Sequence, residues 1–293
     1  GVDILFANES EITALYETTS FDEASRHAAA DTRLAVLTRS DVWKGLVMKA
    51  DNALPFVPAM THCKVLNRES DRVFVREIEF RGERCRERIT LSPEERVEFV
   101  RLDGSVLGTI LNLIEEDENG LGLRFSFALK LDGVKDGSPE EVEYGKVVEK
   151  DYLKAVDATL AAIRKMKSER NALIKRYYEV VDAMDLETFK SMHSKNAKVT
   201  FANFPAADGP DQIAGAIGQF WSSIRGLKHT FINRWDHADE SILECAVTYT
   251  RKDGQAVTLP CVTILKPDGD KVGELRIFTD IAPIYAEQQK VAV

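Results

Sequence analysis

Leu121-Gly122-Leu123-Arg124-Phe125-Ser126-Phe127-Ala128-Leu129-Lys130-Leu131, followed after a short turn by Ser138-Pro139-Glu140-Glu141, decides the fold of the first half of this chain. Every odd position from 121 to 131 is a large apolar residue, and the even positions are small or charged. Successive side chains of a strand point to opposite faces, so this period of two describes a half-buried antiparallel strand. Ser138 then offers an N-cap, Pro139 a first-turn residue whose missing N–H is not needed, and Glu141 a reciprocal cap. Behind them Val148, Tyr152, Ala155, Val156, Leu160, Ile163 and Met166 fall on one helical face. That spacing predicts a long helix from about Pro139 to Lys167.

Working toward the N-terminus, Glu118-Asn119-Gly120 is a hairpin signal that pairs this strand with Val106–Glu116. Lys64–Asn67, Val73–Phe80, Glu83–Leu91 and Arg96–Arg101 read as further strands, with turns at Arg81-Gly82 and Ser92-Pro93. Ahead of them Thr38 and Asp41 form a capping box for a helix that puts Trp43, Leu46, Val47 and Ala50 on one face. The order is therefore a helical segment, an antiparallel meander and a closing helix. Such a helix buries its stripe only against a curved sheet, an arrangement that often encloses a cavity. Residues 34–167 are read as this first domain. Residues 1–33, including a short helix-like run Phe21–Asp31, are read as a leader.

A second domain is expected over 168–293. Leu173, Tyr177, Val180 and Met184 share a helical face, and a short helix over Leu186–Met192 and a strand at Val199–Phe201 follow. Asp208-Gly209-Pro210-Asp211 starts another helix with Ile213, Ala216, Ile217, Phe220, Trp221 and Ile224 at helical spacing. Strands at Lys228–Asp236, Ser241–Arg251, Gln255–Lys266 and Lys271–Ile281 close the chain. Helices first and a meander last is an α+β pattern.

The charge balance narrows the function. With 39 Lys+Arg against 48 Asp+Glu in 293 residues, the net charge of −9 argues against a nucleic-acid backbone binder. Arg84, Arg86 and Arg88 do share a strand face, but Glu77 and Glu79 stand ready to pair with them and no aromatic residues interleave. No apolar run approaches the roughly 20 residues of a membrane span. Cys63, Cys85, Cys245 and Cys261 form no CxxC pair and read as thiols in a reducing, cytoplasmic compartment. The start of the chain shows no secretory pattern, although Gly1 is compatible with a removed leader. The histidines at 27, 62, 193, 229 and 237 lack HxxxH or HxH spacing, so no metal is expected. No G-x-G-x-x-G, phosphate loop or G-x-S-x-G elbow is present, so no cofactor is expected either, which leaves proton chemistry or plain binding.

Two family resemblances add to this reading. Leu37-Thr38-Arg39-Ser40-Asp41-Val42-Trp43-Lys44-Gly45-Leu46, Phe56-Val57-Pro58, Arg86-Glu87-Arg88-Ile89-Thr90-Leu91 and Asn112-Leu113-Ile114-Glu115-Glu116-Asp117 resemble the AtaL-like family, a branch of the START/Bet v1-like helix-grip superfamily. That resemblance implies a curved sheet wrapped on a long helix around a hydrophobic cavity, with no agreed catalytic motif. Tyr177-Tyr178-Glu179-Val180-Val181-Asp182-Ala183-Met184-Asp185, Gly226-Leu227-Lys228-His229, Thr248-Tyr249-Thr250 and Arg276-Ile277-Phe278-Thr279-Asp280 resemble the SnoaL-like branch of the nuclear transport factor 2 superfamily. This implies a cone of curved sheet closed by helices. Its members include polyketide cyclases, dehydratases and isomerases as well as non-catalytic modules, and many are homodimers.

In dehydratase members of that superfamily a helix-end Asp orients a strand His. The resemblance places these roles on Asp182 and His229. A carboxylate on one ring nitrogen fixes the tautomer and stabilises the imidazolium, so the other nitrogen can accept a proton near neutral pH. The alternative reading is that Asp182 and Asp185 merely end a helix and His229 faces water. Asn233 and Trp235 share the odd face of the same strand with His229. The Asn233 amide is a candidate for a substrate carbonyl, or else bonds backbone near an edge. Tyr178, Phe204, Trp221, Trp235 and Tyr249 are the expected substrate-contacting walls. Arg276 and Asp280 point outward if Leu275 and Ile277 line the cone. In the first domain Glu87 and Asn112 are candidate cavity polar groups, with solvent exposure the expected state of Glu87.

The expected molecule is thus α+β throughout: a helix-grip sheet and helix, then a nuclear transport factor 2-like cone. The expected function is a cofactor-independent cyclase, isomerase or dehydratase acting on a small hydrophobic, polyketide-like metabolite. The alternative is a non-catalytic binder of such a ligand with a dimerising second domain.

Overall fold

The computed structural model describes residues 2–5, 37–117, 120–135, 137–237 and 239–286. The helix-like run Phe21–Asp31 and the hairpin residue Asn119 lie outside the described residues. The chain divides into two units, Gly1–Lys167 and Ser168–Val293.

In the first unit, helix α1 (Arg39–Asp51) starts at a complete capping box: Asp41 N–H donates to Thr38 Oγ1 at 3.2 Å, and Thr38 N–H donates to the Asp41 carboxylate at 3.0 Å. The same carboxylate accepts Lys167 Nζ at 2.8 Å in a buried pair. Strands β2 (Met60–Arg68), β3 (Val73–Phe80), β4 (Glu83–Ser92), β5 (Arg96–Arg101), β6 (Val106–Asp117) and β7 (Gly120–Leu131) follow as an antiparallel meander. Strand β1 (Val2–Leu5) adds to the free edge of β7, Val2 opposite Phe127. This edge strand falls within residues 1–33, the stretch read from the sequence as a leader. An open edge of unpaired N–H and C=O groups accepts even a four-residue strand.

Helix α2 (Pro139–Asp182) then runs for 44 residues. The expected stop near Lys167 does not occur, because Lys165-Met166-Lys167-Ser168-Glu169-Arg170-Asn171-Ala172 contains neither Gly nor Pro. Its first part buries Val148, Tyr152, Ala155, Val156, Leu160 and Ile163 within the first unit. Gly45 of α1 is required there, since a Cβ would collide with the Ile163 side chain.

The second unit continues from the end of α2 into α3 (Leu186–Ser191), β8 (His193–Phe201), β9 (Ala207–Asp208), α4 (Gly209–Ser222), β10 (Ile224–Asp236), β11 (Ser241–Arg251), β12 (Ala256–Asp268), β13 (Lys271–Phe278) and α5 (Ala282–Tyr285). The sheet order is β10-β11-β12-β13-β8-β9, with β13 and β8 parallel and the other pairs antiparallel. Helices α2, α3 and α4 contribute Tyr177, Phe189, Ile213, Ile217 and Trp221 to a core shared with Leu243, Val247, Leu265 and Leu275 of the sheet. Both units are α+β, each with helices against an antiparallel meander.

Candidate functional site

Helix α2 ends at Asp182, and Asp185 is the N-cap of α3, its carboxylate accepting Thr188 N–H at 3.1 Å. The two aspartates therefore have different work. Asp185 caps, whereas Asp182 reaches across to β10. Its Oδ1 lies 2.6 Å from His229 Nδ1 and 3.1 Å from the His229 backbone N–H, and its Oδ2 accepts Lys228 Nζ at 2.9 Å. A ring hydrogen bond and a backbone hydrogen bond from one residue fix both the carboxylate and the imidazole. With Nδ1–H donating to Asp182, Nε2 keeps its lone pair.

The His229 side chain is 9% exposed and lines a small chamber of about 50 Å³. Tyr178, Trp221, Tyr249, Cys261, Thr263, Leu275 and Ile277 share its walls. Tyr178 stands edge-on to the imidazole with ring centroids 4.9 Å apart. Its buried hydroxyl makes no close hydrogen bond among the described residues and is only weakly engaged by Thr263. Burial lowers the His229 pKa below its usual 6.5 against the opposing pull of Asp182. Burial likewise drives the Tyr178 hydroxyl far above its ordinary value. The ring is therefore a neutral acceptor at neutral pH, and the phenol is a donor that does not ionise.

A larger vestibule of about 530 Å³ adjoins the chamber, the two sharing Val199, Phe201, Ile217 and Phe220 as walls. Phe204, expected as a substrate-contacting wall, lines this vestibule and not the inner chamber, 56% exposed beside Pro205 and Tyr285. It follows β8 in a turn, and the strand's alternation no longer directs it inward.

Asn233 and Trp235 are corrections. Asn233 bonds Glu244 at 2.7 Å on the exposed side, and Trp235 is 49% exposed. The reason is a bulge: Phe231 pairs with Cys245, but Asn233 pairs with Glu244. One extra residue, Ile232, reverses the alternation, so Arg234 takes the inward register opposite buried Leu243. The sequence reading missed Thr263 and Cys261. Their period-two spacing with Leu259 and Leu265 on β12 was a sufficient signal. As expected, Leu275 and Ile277 line the chamber, while Arg276 pairs with Glu240 at 2.8 Å.

In the first unit Glu87 is 2% exposed, not solvent-exposed as expected. It alternates with Cys85 and Ile89 on the inner face of β4, where Arg76 holds it through Nε at 3.0 Å and through the other arm of the guanidinium at 2.7 Å. Asn112 is fully buried. The surface arginines pair with acids: Arg84 with Glu79, Arg86 with Asp103 and Arg88 with Glu69. Among the described residues no cluster of three His, Cys, Asp or Glu side chains is arranged to hold a metal, and no helix is long and apolar enough to cross a membrane.

Residues 23–170 match the profile of the acetylaranotin biosynthesis cluster protein L family, AtaL, over half of the chain. The chain belongs to the AtaL family. To its AtaL region it joins a SnoaL-like domain, matched over residues 174–274. Among solved structures, the AtaL-family chain is similar to a putative SnoaL-like polyketide cyclase from Jannaschia sp. CCS1, at 18% identity and TM-score 0.36, covering 40% of this chain and 90% of that one. A putative polyketide cyclase from Xanthomonas campestris pv. campestris matches at 13% identity and TM-score 0.36, over 40% of this chain and 93% of that one. A hypothetical protein with a ketosteroid isomerase-like fold from Catenulispora acidiphila, solved with trimethylamine, matches at 12% identity and TM-score 0.36, over 38% and 88%. No curated protein sequence matches significantly.

Proposed function

We propose that the SnoaL-like unit is an acid–base catalyst of the cyclase, isomerase or dehydratase kind, acting without a cofactor on a small hydrophobic metabolite. The observation that carries this reading is the 2.6 Å contact between Asp182 and His229 Nδ1 in a walled, largely apolar chamber. His229 Nε2 removes a proton from carbon next to a carbonyl, or from a hydroxyl. Asp182 stabilises the imidazolium that forms. The Tyr178 hydroxyl, only weakly engaged by Thr263, donates to the oxyanion that develops, and His229 returns the proton to complete an isomerisation or to expel water. The body of the substrate occupies the vestibule, and only its reacting end enters the inner chamber past Phe201 and Phe220.

A base poised in an apolar chamber can be assayed without the natural substrate, by the ring opening of 5-nitrobenzisoxazole to a coloured phenolate. The intact protein is expected to accelerate this reaction, with a rate that climbs through a midpoint below 6.5 and is level above it. His229→Ala should slow it by roughly 10²–10⁴, the usual contribution of a positioned base. A wild-type rate no greater than that of His229→Ala sinks the proposal. The small inner volume favours a second reading, in which the vestibule holds a hydrophobic ligand without turnover. Equal rates with unchanged binding of 5-nitrobenzisoxazole select that reading.

A further inference from the structure

Three neighbouring strands of the first unit each place a charged residue on the inner, otherwise apolar face. Arg76 alternates with Phe74 and Ile78, Glu87 with Cys85 and Ile89, and Arg101 with Val97 and Phe99. Their registers coincide, Arg76 opposite Glu87 and Glu87 opposite Arg101, so the three form one row across the sheet. The row is not balanced. Arg76 binds Glu87 with two nitrogens and gives its third to the Lys49 and Ala50 carbonyls, so its donors are engaged. Arg101 stands 3.7 Å from the other Glu87 oxygen, and its Nε has no hydrogen-bond partner among the described residues. Two guanidinium ions, which stay protonated at any accessible pH, thus face one carboxylate. A buried charge left short of partners is costly, and here the shortage is on the positive side.

The next residue of the row is Gly108 on β6, which brings no side chain over Arg101. A cavity of about 190 Å³ opens there, lined by Arg101, Phe80, Glu83, Cys85, Val106 and Tyr144. The Arg101 side chain is 6% exposed, so the cation meets this cavity and little bulk water. Glu83, the acid in the lining, accepts both the N–H and the hydroxyl of Ser105, which with the more distant charge of Arg101 keep it ionised. Tyr144 also walls a second, mainly apolar cavity of about 250 Å³, with Phe127, Leu129, Leu131, Val148 and Tyr152, and with Lys130, Glu141 and Glu149 among its remaining walls. The buried Tyr152 hydroxyl makes no close hydrogen bond among the described residues and is only weakly engaged by the Arg101 guanidinium. Burial pushes it up to about 12 against the pull of Arg101, so it remains a donor.

The geometry points to a ligand site in the first unit for a small hydrophobic carboxylate, its anionic head on Arg101 and the Tyr144 and Tyr152 hydroxyls and its apolar body between β7 and α2. The charge of the head supplies what Glu87 leaves unbalanced, and guanidinium–carboxylate pairing is bidentate and strong. The site is independent of His229 and Asp182.

Calorimetric titration of the full-length protein with 2-naphthoate and with 2-naphthamide, which has the same body without the charge, tests this. The acid should bind at least about tenfold more tightly than the amide. Arg101→Met should bring the two within about twofold, because only the charge-assisted contact is removed. Tyr152→Phe, which disturbs the fold least, should cost the acid several-fold more than the amide, and Leu129→Trp should block both by filling the apolar part. His229→Ala should leave the preference intact, whether or not it abolishes proton transfer. Equal binding of acid and amide by the wild type, no binding at millimolar naphthoate, or a preference that survives Arg101→Met and Tyr152→Phe overturns the proposal. Loss of the preference in His229→Ala also overturns it, by placing the acid in the second unit.

Discussion

In the first unit the inner sheet face carries Arg76, Glu87 and Arg101 side by side, between Phe74 and Ile78, Cys85 and Ile89, and Val97 and Phe99. In the second unit the middle of the corresponding face, through Leu243, Cys245, Val247, Leu259, Cys261 and Leu265, is apolar, and the charged groups of Arg170, Arg234 and Asp236 pair at the end of β10. There the ionisable pair is assembled at the rim, from the end of a helix and the early part of a strand. The difference is one of chemistry as well as position. Guanidinium groups hold their charge at every accessible pH and suit the binding of an anion. An imidazole beside a carboxylate changes its charge near neutrality and suits the movement of a proton. On the two proposals above, the units would serve different tasks.

The largest effect that would break this comparison is expected at Glu87. Glu87→Gln leaves Arg76 and Arg101 buried without their counter-charge and should destabilise the first unit by roughly 3–5 kcal/mol. Urea unfolding followed by the fluorescence of Trp43 measures it, and a loss below about 1 kcal/mol would mean that the row is solvated rather than buried.

Next comes Lys49, buried beside the same row. Burial first and the Arg76 guanidinium second hold its pKa down to about 7, with Glu87 pulling the other way. In the unfolded chain the group titrates near 10.5. Below pH 7 the folded protein therefore carries the full cost of the buried ammonium. As the pH rises toward 10.5 the folded state is already neutral while the unfolded state still binds a proton, and the cost disappears. The wild type should gain stability on the order of a few kcal/mol between pH 7 and 10 from this group alone. Lys49→Met should lack that gain and be more stable than the wild type at pH 6. Parallel unfolding curves for the two proteins at both pH values would refute the assignment.

The smallest effect is expected at Lys228, whose ammonium is 74% exposed although it touches Asp182. Screened by water, it should contribute little to the dyad, and Lys228→Met should change the isoxazole rate by no more than about twofold. A drop comparable with that of His229→Ala would make Lys228 a member of the site and blur the contrast between the units.

Much of this architecture was legible because it rests on local rules. Alternation located β3, β5 and β11 to the residue, and Thr38 with Asp41 announced α1 correctly. The Asp182–His229 pair came from family resemblance, and the structure brings the two residues together. Arg101 could also have been found, because it sits in phase with Val97 and Phe99. The exposed arginines of the adjacent strand, Arg84, Arg86 and Arg88, carry the more conspicuous pattern. The continuity of α2 is not legible from its apolar stripe, which changes where the packing partner changes although the helix does not. The face of Asn233 and Trp235 was misjudged because a single bulge, which no residue type at Ile232 announces, inverts every position after it.

By itself, then, the sequence determined the elements, their order and which residues are apolar, since these follow from backbone propensity and period along the chain. Only the tertiary structure decided which polar groups meet in the interior. The meeting of Arg76, Glu87 and Arg101 depends on strand register, and that of Asp182 and His229, 47 positions apart, on the chain between them folding back. Register and return are set by the packing of whole faces against one another, a property that no local stretch of chain carries.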